Sequence, residues 1–337
     1  MTSLLSLDAL DVTFTRRGRS KMPVRAVDRV SFDVTEGETV GLIGESGSGK
    51  TTIGRAVLGL TPVTGGHITF RGEDITTLRA ERRSRFAGSL QAVFQDPYGS
   101  LNPARAVGRS LLEPLEAHAG RRSADLSAEI TRMLDEVSLP AEAADRYPHA
   151  FSGGQRQRLG IARAFAPTPQ LVVCDEATSA LDVVTQAQIL GLLQRLGTET
   201  GVAMLFITHN LPLVAYLAQR VVVLYRGRVM ERGPARDIHE HPLHPYTKAL
   251  TLAVPSSNPA VQRARRAERA EAVSVNSANA TAPPAQGCPF APRCPKAADT
   301  CVTSRPADTP VGNRVIACHL FDSRSGHPQA PAAKGTT

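Results

Sequence analysis

The chain has 337 residues, of which 42% are hydrophobic and 4% aromatic, and it carries a formal net charge of +8 at pH 7. This length suffices for one α/β core with about a hundred residues to spare, and no stretch approaches the roughly 20 apolar residues that span a bilayer. The N-terminus lacks a basic segment followed by an apolar one, so we expect a cytosolic chain, and the dispersed basic charge with few aromatic residues argues against a nucleic-acid partner.

A glycine-rich segment lies between a predicted strand, residues 39–43, and a predicted helix, residues 51–60. Residues 44–51 read GESGSGKT. In this pattern glycines let backbone N–H groups face phosphates, Lys50 reaches the outer phosphates and the Thr51 hydroxyl ligates Mg²⁺. The N-terminus of the helix adds its own attraction for anions. The predicted ATP-binding residues, called the phosphate loop below, are Gly44, Glu45, Ser46, Gly47, Ser48, Gly49, Lys50, Thr51 and Thr52.

A second apolar run ends in two carboxylates. Residues 171–174 are Leu, Val, Val and Cys, followed by Asp175 and Glu176. Such a run predicts a buried parallel strand, and ligands bind at the carboxyl ends of parallel strands. We expect Asp175 to hold Mg²⁺ through its water shell and Glu176 to polarise the attacking water. Cys174, inside the run, is interpreted as a small buried hydrophobe rather than a nucleophile.

Residues 151–155, with the sequence FSGGQ, predict a second anion site. Ser152 is a good N-cap, the two glycines allow close backbone approach, and residues 155–165 have helical composition. The alternative is that this segment only caps a helix. The predicted anion-binding residues are Ser152, Gly153, Gly154 and Gln155.

Together with Gln95, the segment 179–182 and His209, these motifs resemble the nucleotide-binding subunit of an ATP-binding cassette (ABC) transporter over about residues 5–235. The resemblance implies a P-loop NTPase of the α/β class, with a RecA-like core sheet and an antiparallel β layer. It also implies a helical insertion at about residues 100–165, whose cleft receives a permease. Residues 100–165 themselves show helical spacing of apolar side chains.

The resemblance assigns further roles. Gln95 would contact Mg²⁺ and the attacking water, His209 the outermost phosphate, and Asp182 would end a loop that faces the opposite site. The FSGGQ segment would grip ATP bound by another subunit, so two cassettes are needed. Phe14 would stack on adenine, although a strand Phe more commonly faces the core. The implied Mg²⁺ ligands are Thr51, Gln95 and Asp175.

The C-terminal third departs from a generic cassette. Residues 241–250 (HPLHPYTKAL) resemble the extension of oligopeptide and dipeptide importer cassettes, as do residues 95–103 and 146–151. The histidines could alternatively bind metal. We expect a docking segment at 236–257, a linker of low hydrophobic periodicity at 258–285, a four-cysteine lobe at 286–320 and a disordered tail at 321–337.

Four of the five cysteines lie close together with the spacing C-x5-C-x6-C-x16-C; they are Cys288, Cys294, Cys301 and Cys318. A cytosolic chain keeps thiols reduced, which favours metal binding over disulfides. The spacing lacks the C-x2-C pairs common in structural zinc sites, whereas four cysteines also suit a 4Fe-4S cluster. The segment further resembles the cluster-bearing extension of peptide-importer cassettes. Zinc, disulfides and unligated thiols remain alternatives.

The resemblance therefore implies an ATP-hydrolysing importer subunit at the cytoplasmic face of the membrane. Its implied partners are a second ATPase subunit, more often a paralogue than a copy, two permease subunits and, indirectly, an extracellular solute-binding protein. The alternative is a soluble ABC-type ATPase acting on ribosomes, DNA or cluster assembly, but such proteins usually carry two cassettes or large insertions. An inactive partner cassette is disfavoured because Lys50, Asp175, Glu176 and His209 are all present.

Overall fold

The computed structural model describes residues 3–15, 23–78, 83–96, 98–119, 126–179, 181–254, 262–263 and 284–331. The strands are β1 (Ser3–Thr15), β2 (Pro23–Thr35), β3 (Thr39–Ile43), β4 (Gly65–Phe70), β5 (Glu73–Asp74), β6 (Leu90–Val93), β7 (Leu171–Asp175), β8 (Ala203–Thr208), β9 (Arg220–Tyr225), β10 (Arg228–Pro234), β11 (Asp308–Val311) and β12 (Arg314–Ala317). The α-helices are α1 (Lys50–Val57), α2 (Val107–Ala119), α3 (Leu126–Glu136), α4 (Gly153–Phe165), α5 (Val183–Thr200), α6 (Leu211–Leu217), α7 (Ala235–Glu240), α8 (Pro245–Ala253) and α9 (Asp299–Thr303). Within the described ranges, no helix is both long and apolar enough to cross a membrane.

The chain divides into two compact units. The first comprises Met1–Val12, Ser31–Val40 and Thr51–Thr208, and the second comprises Thr13–Val30, Gly41–Lys50 and His209–Thr337. This division passes through the region predicted to form the cassette. Most of the predicted linker, 258–285, lies outside the described residues.

The first unit contains three parallel strands, in which Leu90 of β6 is paired with Leu171 of β7, and Leu171 with Ala203 of β8. Every residue of β7 and β8 is buried, as their continuous apolar sequences predict. Helix α1 packs closely on this sheet, since a Cβ atom added at Gly54 would lie 2.7 Å from Ile207 Cδ1. The close packing brings the start of α1 to the carboxyl end of β7.

The predicted antiparallel β layer is confirmed in the first unit. Its strand order is β2-β1-β4-β5, and β4 runs antiparallel to both β1 and β5. Four leucine side chains of β1 are buried in the core, and the register shifts between Asp8 and Asp11; the leucines are Leu4, Leu5, Leu7 and Leu10.

The predicted helical insertion corresponds to α2, α3 and α4. Each of the three helices buries apolar side chains, including Leu111 of α2, Leu134 of α3 and Leu159 of α4. Arg158 of α4 donates a hydrogen bond to the carbonyl of Val137, at 2.9 Å, and so ties α4 to the end of α3.

The second unit contains an antiparallel sheet segment. Strand β10 pairs with β9 on one side and with β12 on the other, where Glu231 is opposite Ile316. The hairpin of β11 and β12 lies in the predicted four-cysteine lobe, and therefore this lobe extends the sheet of β9 and β10.

Residues 321–331, predicted to belong to a disordered tail, instead form hydrogen-bonded turns. The Phe321 N–H donates to the Cys318 carbonyl at 3.1 Å, and the buried His327 ring contacts the Lys296 carbonyl through Nε2 at 2.9 Å. Polar side chains that bond to the backbone order this segment, and hydrophobic periodicity does not reveal such bonds. Residues 332–337 lie outside the described residues.

Candidate functional site

The phosphate loop requires glycine at two tightly packed positions, both in the second unit. Gly44 and Gly49 have φ values of 156° and 103°. A Cβ atom at Gly44 would lie 2.2 Å from the Leu224 carbonyl oxygen, and one at Gly49 would lie 2.4 Å from that of Ala26. The backbone at these positions thus excludes any side chain.

Lys50 is almost fully buried in this loop. Its Nζ atom donates to the carbonyl oxygens of Gly44, at 2.8 Å, and Glu45, at 3.0 Å. The Ser48 N–H also donates to the Glu45 carbonyl, at 3.1 Å. These bonds curl the loop around the lysine side chain, as expected of an anion-binding nest.

The predicted Mg²⁺ ligands Thr51 and Asp175 meet in the first unit. The Thr51 hydroxyl donates to Asp175 Oδ1 at 3.0 Å, and Asp175 is only 8% exposed. The exposed Gln95 lies two residues beyond β6, which pairs with β7 in parallel up to Val93 and Cys174. Asp175 and Gln95 therefore lie at the carboxyl ends of neighbouring strands, and Thr51 at the start of α1 contacts Asp175 there.

Glu176 has an unusual backbone conformation immediately after β7. Its φ value is 49°, in the left-handed region that non-glycine residues seldom adopt. The Glu176 N–H donates to the Ile207 carbonyl at 2.9 Å, and its own carbonyl accepts from the Ser179 N–H at 3.1 Å. These bonds hold the strained residue, and strain of this kind is concentrated at functional sites.

The interpretation of Cys174 as a buried hydrophobe is confirmed. Its side chain is fully buried. Burial, with the neighbouring Asp175, raises the pKa of the thiol to about 12. The thiolate, which is the nucleophilic form, is therefore suppressed at neutral pH.

The FSGGQ segment forms the predicted helix start. The Gln155 N–H donates to Ser152 Oγ at 3.3 Å, and the Ser152 N–H donates to Gln155 Oε1 at 3.0 Å. This reciprocal pair is a capping box for α4. Gly153 and Gly154 are the first two residues of α4, so their backbone N–H groups lie at an accessible helix end.

Asp182 lies next to this helix start, a contact that the sequence did not predict. Its Oδ1 atom accepts from the N–H groups of Val184 and Thr185, at 3.1 and 3.0 Å, and caps α5. Hydrogen bonds to the carboxylate lower the pKa of Asp182, and the bond from the Thr185 N–H has the largest effect. A Cβ atom at Gly154 would lie only 2.5 Å from Thr185 Cγ2. The α4 start and the Asp182 loop therefore pack directly together.

Helix α4 also contacts the segment that carries Gln95. Gln157, 2% exposed, donates to the Phe94 carbonyl at 3.4 Å. The Arg156 guanidinium lies 4.3 Å from the centre of the Tyr98 ring. A cation over an aromatic face is attracted by the ring.

His209 and Phe14 belong to the second unit. His209 is exposed and directly follows β8, at the predicted strand end. Phe14 is 43% exposed in β1, which contradicts the alternative that it faces the core. Its neighbours 16–22 lie outside the described residues.

The four C-terminal cysteines line a single cavity. Cys288, Cys294, Cys301 and Cys318 are each at most 9% exposed, and all are free thiols. Burial, followed in smaller measure by neighbouring cysteines, raises the pKa of Cys288 and Cys318 to about 12 and of Cys294 to about 11. Among the described residues, no group of three or more His, Cys, Asp or Glu side chains is placed to hold a metal ion.

His244, one of the two histidines of residues 241–250, has a structural role. Buried His244 caps α8, where its Nδ1 atom accepts from the Tyr246 N–H at 3.0 Å. The fully buried Glu231 of β10 accepts from the N–H groups of Leu243 and His244, at 3.2 and 3.0 Å. It also lies 3.5 Å from the Arg314 guanidinium. No local sequence pattern indicates this buried carboxylate.

Comparison with known proteins agrees with this geometry. Residues 27–179 match the family model described as ABC transporter, and residues 230–301 match that for the oligopeptide/dipeptide transporter C-terminal region. Proteins of Brucella ovis and Brucella abortus, named as peptide import ATP-binding proteins, are each 44% identical over 90% of this chain and 93% of their own length.

Solved structures give the same fold. A dimeric ATP-binding cassette bound to ADP and Pi after hydrolysis is 27% identical, with a TM-score of 0.62 over 69% of this chain and 99% of its own. The structure of cbiO1 from Clostridium perfringens, part of an ABC transporter complex, has a TM-score of 0.64 at 21% identity and covers 80% of this chain and 100% of its own.

Proposed function

This chain belongs to the ABC transporter family as an ATP-hydrolysing subunit, and we propose that it powers the import of oligopeptides or dipeptides through separate permease subunits. The observation that carries this proposal is the order of its parts. A cassette match at 27–179 is followed by the peptide-transporter C-terminal match at 230–301. The 44% identity to peptide import proteins supports the same substrate class.

Hydrolysis in this proposal takes place at the carboxyl ends of the parallel strands β6 and β7. Mg²⁺, when bound, neutralises charge on the phosphates of ATP. Thr51, Asp175 and Gln95 would hold it, supported by the 3.0 Å bond between Thr51 and Asp175. Glu176 orients and polarises the attacking water, while Lys50 and the N–H groups of the phosphate loop bind the phosphates. His209 contacts the outermost phosphate, and Phe14 stacks on the adenine.

A second cassette completes each site. Residues 152–155 begin α4, and the backbone N–H groups of Gly153 and Gly154 at this helix end suit the phosphates of ATP held by the partner. Asp182, packed beside that start, would respond to the opposite site. By family resemblance the partner is a paralogue more often than a copy. The pair would work at the cytoplasmic face of the membrane, together with two permease subunits and an extracellular solute-binding protein.

We further propose that the four cysteines bind a 4Fe-4S cluster with a structural role. The support is that all four line one cavity and are buried. Four cysteine thiolates are the ligand set that such a cluster requires. Charged iron would also lower the pKa that burial raises in these thiols.

The import function is tested by purification and by uptake. The chain, isolated with mild detergent from its own cells, should bring down membrane permease subunits, and the reconstituted complex should take up labelled di- or oligopeptides only with ATP. Lys50→Ala should abolish uptake without dispersing the complex. Recovery with ribosomes or DNA alone would support the soluble alternative and contradict import.

The cluster is tested by anaerobic purification followed by iron and acid-labile sulfide analysis. We expect about four iron and four sulfide per chain. Replacing all four cysteines with serine should remove both, whereas Cys174→Ser, outside the lobe, should remove neither. Zinc in place of iron, or a metal-free protein, would disprove the cluster.

A further inference from the structure

Glu45, the second residue of the phosphate loop, is held at each of its polar groups. Its N–H donates to Tyr246 Oη at 2.8 Å, and its carbonyl accepts from Lys50 Nζ at 3.0 Å. Its carboxylate accepts from both terminal nitrogens of Arg293, at 2.8 and 2.9 Å. Two of these three partners are distant along the chain, by 201 and 248 residues.

Arg293 is anchored in the four-cysteine lobe before it reaches Glu45. It is the last residue of the 3-10 helix Ala291–Arg293, directly before Cys294. Its guanidinium lies 5.6 Å from the centre of the Phe290 ring and donates to the Tyr225 hydroxyl at 3.4 Å. A planar fork fixed in this way recognises a carboxylate with defined geometry.

Tyr246 is fixed equally firmly. It is fully buried in α8, and its ring centre lies 4.6 Å from that of Tyr225 and 5.4 Å from that of Phe290. Burial raises the pKa of its hydroxyl, so Oη remains a neutral group that accepts the Glu45 N–H. Aromatic packing thus sets the position of a hydrogen-bond acceptor against the backbone of the loop.

We propose that Arg293 and Tyr246 are positioning residues for ATP binding, through which the four-cysteine lobe holds the phosphate loop in its binding shape. They act on Glu45 and have no need to touch the nucleotide. A loop already held in shape loses less conformational freedom when it binds, and this raises affinity. The inference rests on the proposed assignment of residues 44–52 as the phosphate loop.

The test measures the Kd of a fluorescent ATP analogue for the full-length chain, with Mg²⁺ present. Arg293→Ala should raise Kd about threefold to fivefold, a modest effect because both charged side chains are partly exposed. Arg293→Lys, which keeps the charge without the fork, should lie between wild type and Arg293→Ala. Tyr246→Phe, which removes only the hydroxyl, should raise Kd about fivefold.

Glu45→Gln separates positioning from simple electrostatics. Removal of a negative charge near a phosphate site would by itself lower Kd, whereas loss of the Arg293 contact should raise it. In the Glu45→Gln background, Arg293→Ala should have no further effect. An unchanged or lower Kd for Glu45→Gln, or an equal cost of Arg293→Ala in both backgrounds, would overturn the proposal.

Two further variants complete the comparison. Arg324→Ala, in the same region, removes a side chain that is 88% exposed and paired with Asp322, and it should leave Kd unchanged. Lys50→Ala should abolish binding. If Lys50→Ala still binds the nucleotide, the assignment of the phosphate loop is wrong. If Lys50→Ala is the only variant that changes Kd, the assignment stands and the positioning role of Arg293 and Tyr246 is disproved. Thermal melting of every variant checks that the chain remains folded.

Discussion

Glu176 combines a carboxylate with a strained backbone, and this makes its chemical role testable at a single position. Glu176→Gln keeps the size of the side chain but cannot take up a proton from water. We expect the variant to bind ATP normally and to lose about 100-fold or more in turnover, measured as phosphate release by the assembled transporter. Glu199→Gln, an exposed glutamate in α5, should retain turnover. Full activity of Glu176→Gln would remove Glu176 from the reaction.

His244 makes stability depend on pH. Burial lowers its pKa from 6.5 to about 3, so between these values the unfolded chain binds a proton that the folded chain rejects. Its contribution to stability is therefore complete above about pH 6.5 and is lost as the pH falls towards 3. We expect this residue to add a slope of up to about 1.4 kcal/mol per pH unit in that window, measured by denaturant unfolding.

His244→Asn provides the comparison for this pH effect. Asparagine is a good N-cap and does not titrate, so the variant should show a shallower fall in the free energy of unfolding between pH 6.5 and 4. Parallel slopes for His244→Asn and wild type would show that His244 does not titrate in this way.

At the scale of elements, the sequence predicted what is local and missed what is distant. The β7 run, the glycines of the phosphate loop and the Ser152 cap are visible because each depends on neighbouring residues. The contact between Gly154 and Thr185 is not visible in the sequence, because it depends on how α4 and α5 pack against each other. Residues 321–331 were predicted wrongly for a related reason: their order comes from backbone hydrogen bonds and not from apolar spacing.

The packing of α4 on α5 predicts an unusual sensitivity at Gly154. An added Cβ would lie 2.5 Å from Thr185 Cγ2, so Gly154→Ala must shift one of the two helix starts. We expect a loss of about 1–3 kcal/mol in the free energy of unfolding, as for other overpacked sites. ATP turnover should also fall, because the shifted segments are those proposed to face the partner cassette.

A second substitution identifies the cause. Thr185→Ser removes the Cγ2 atom and keeps the hydroxyl that bonds to Asp182, so Gly154→Ala with Thr185→Ser should recover most of the lost stability. Gly191→Ala in α5 is the matched control, because its added Cβ meets no atom within 4 Å. That change should stabilise the helix by about 0.5–1 kcal/mol. Equal losses with and without Thr185→Ser would rule out the steric explanation.

At the scale of the whole molecule, the C-terminal extension is built into the second unit by contacts that local patterns cannot reveal. Strand β12 pairs with β10, and Arg293 reaches Glu45 across 248 residues. The sequence predicted the extension by resemblance, but gave no means to see that it contacts the phosphate loop. Such contacts join residues that are far apart in the chain and come together only in the folded structure, so they cannot be predicted from local sequence patterns.

Glu231 joins three segments of the second unit through one buried carboxylate: β10, residues 243–244 and β12. Glu231→Gln retains the shape but leaves the Arg314 guanidinium without its charge partner, and one of the two backbone N–H groups then faces an amide NH2, which cannot accept a hydrogen bond. We expect a loss of about 3 kcal/mol in the free energy of unfolding. Faster amide exchange should appear in β12 and α8, while β7 and β8 of the first unit keep their protection. Glu240→Gln, at an exposed ion pair, is the control and should change neither measurement. Wild-type stability of Glu231→Gln would mean that strand pairing alone holds the extension.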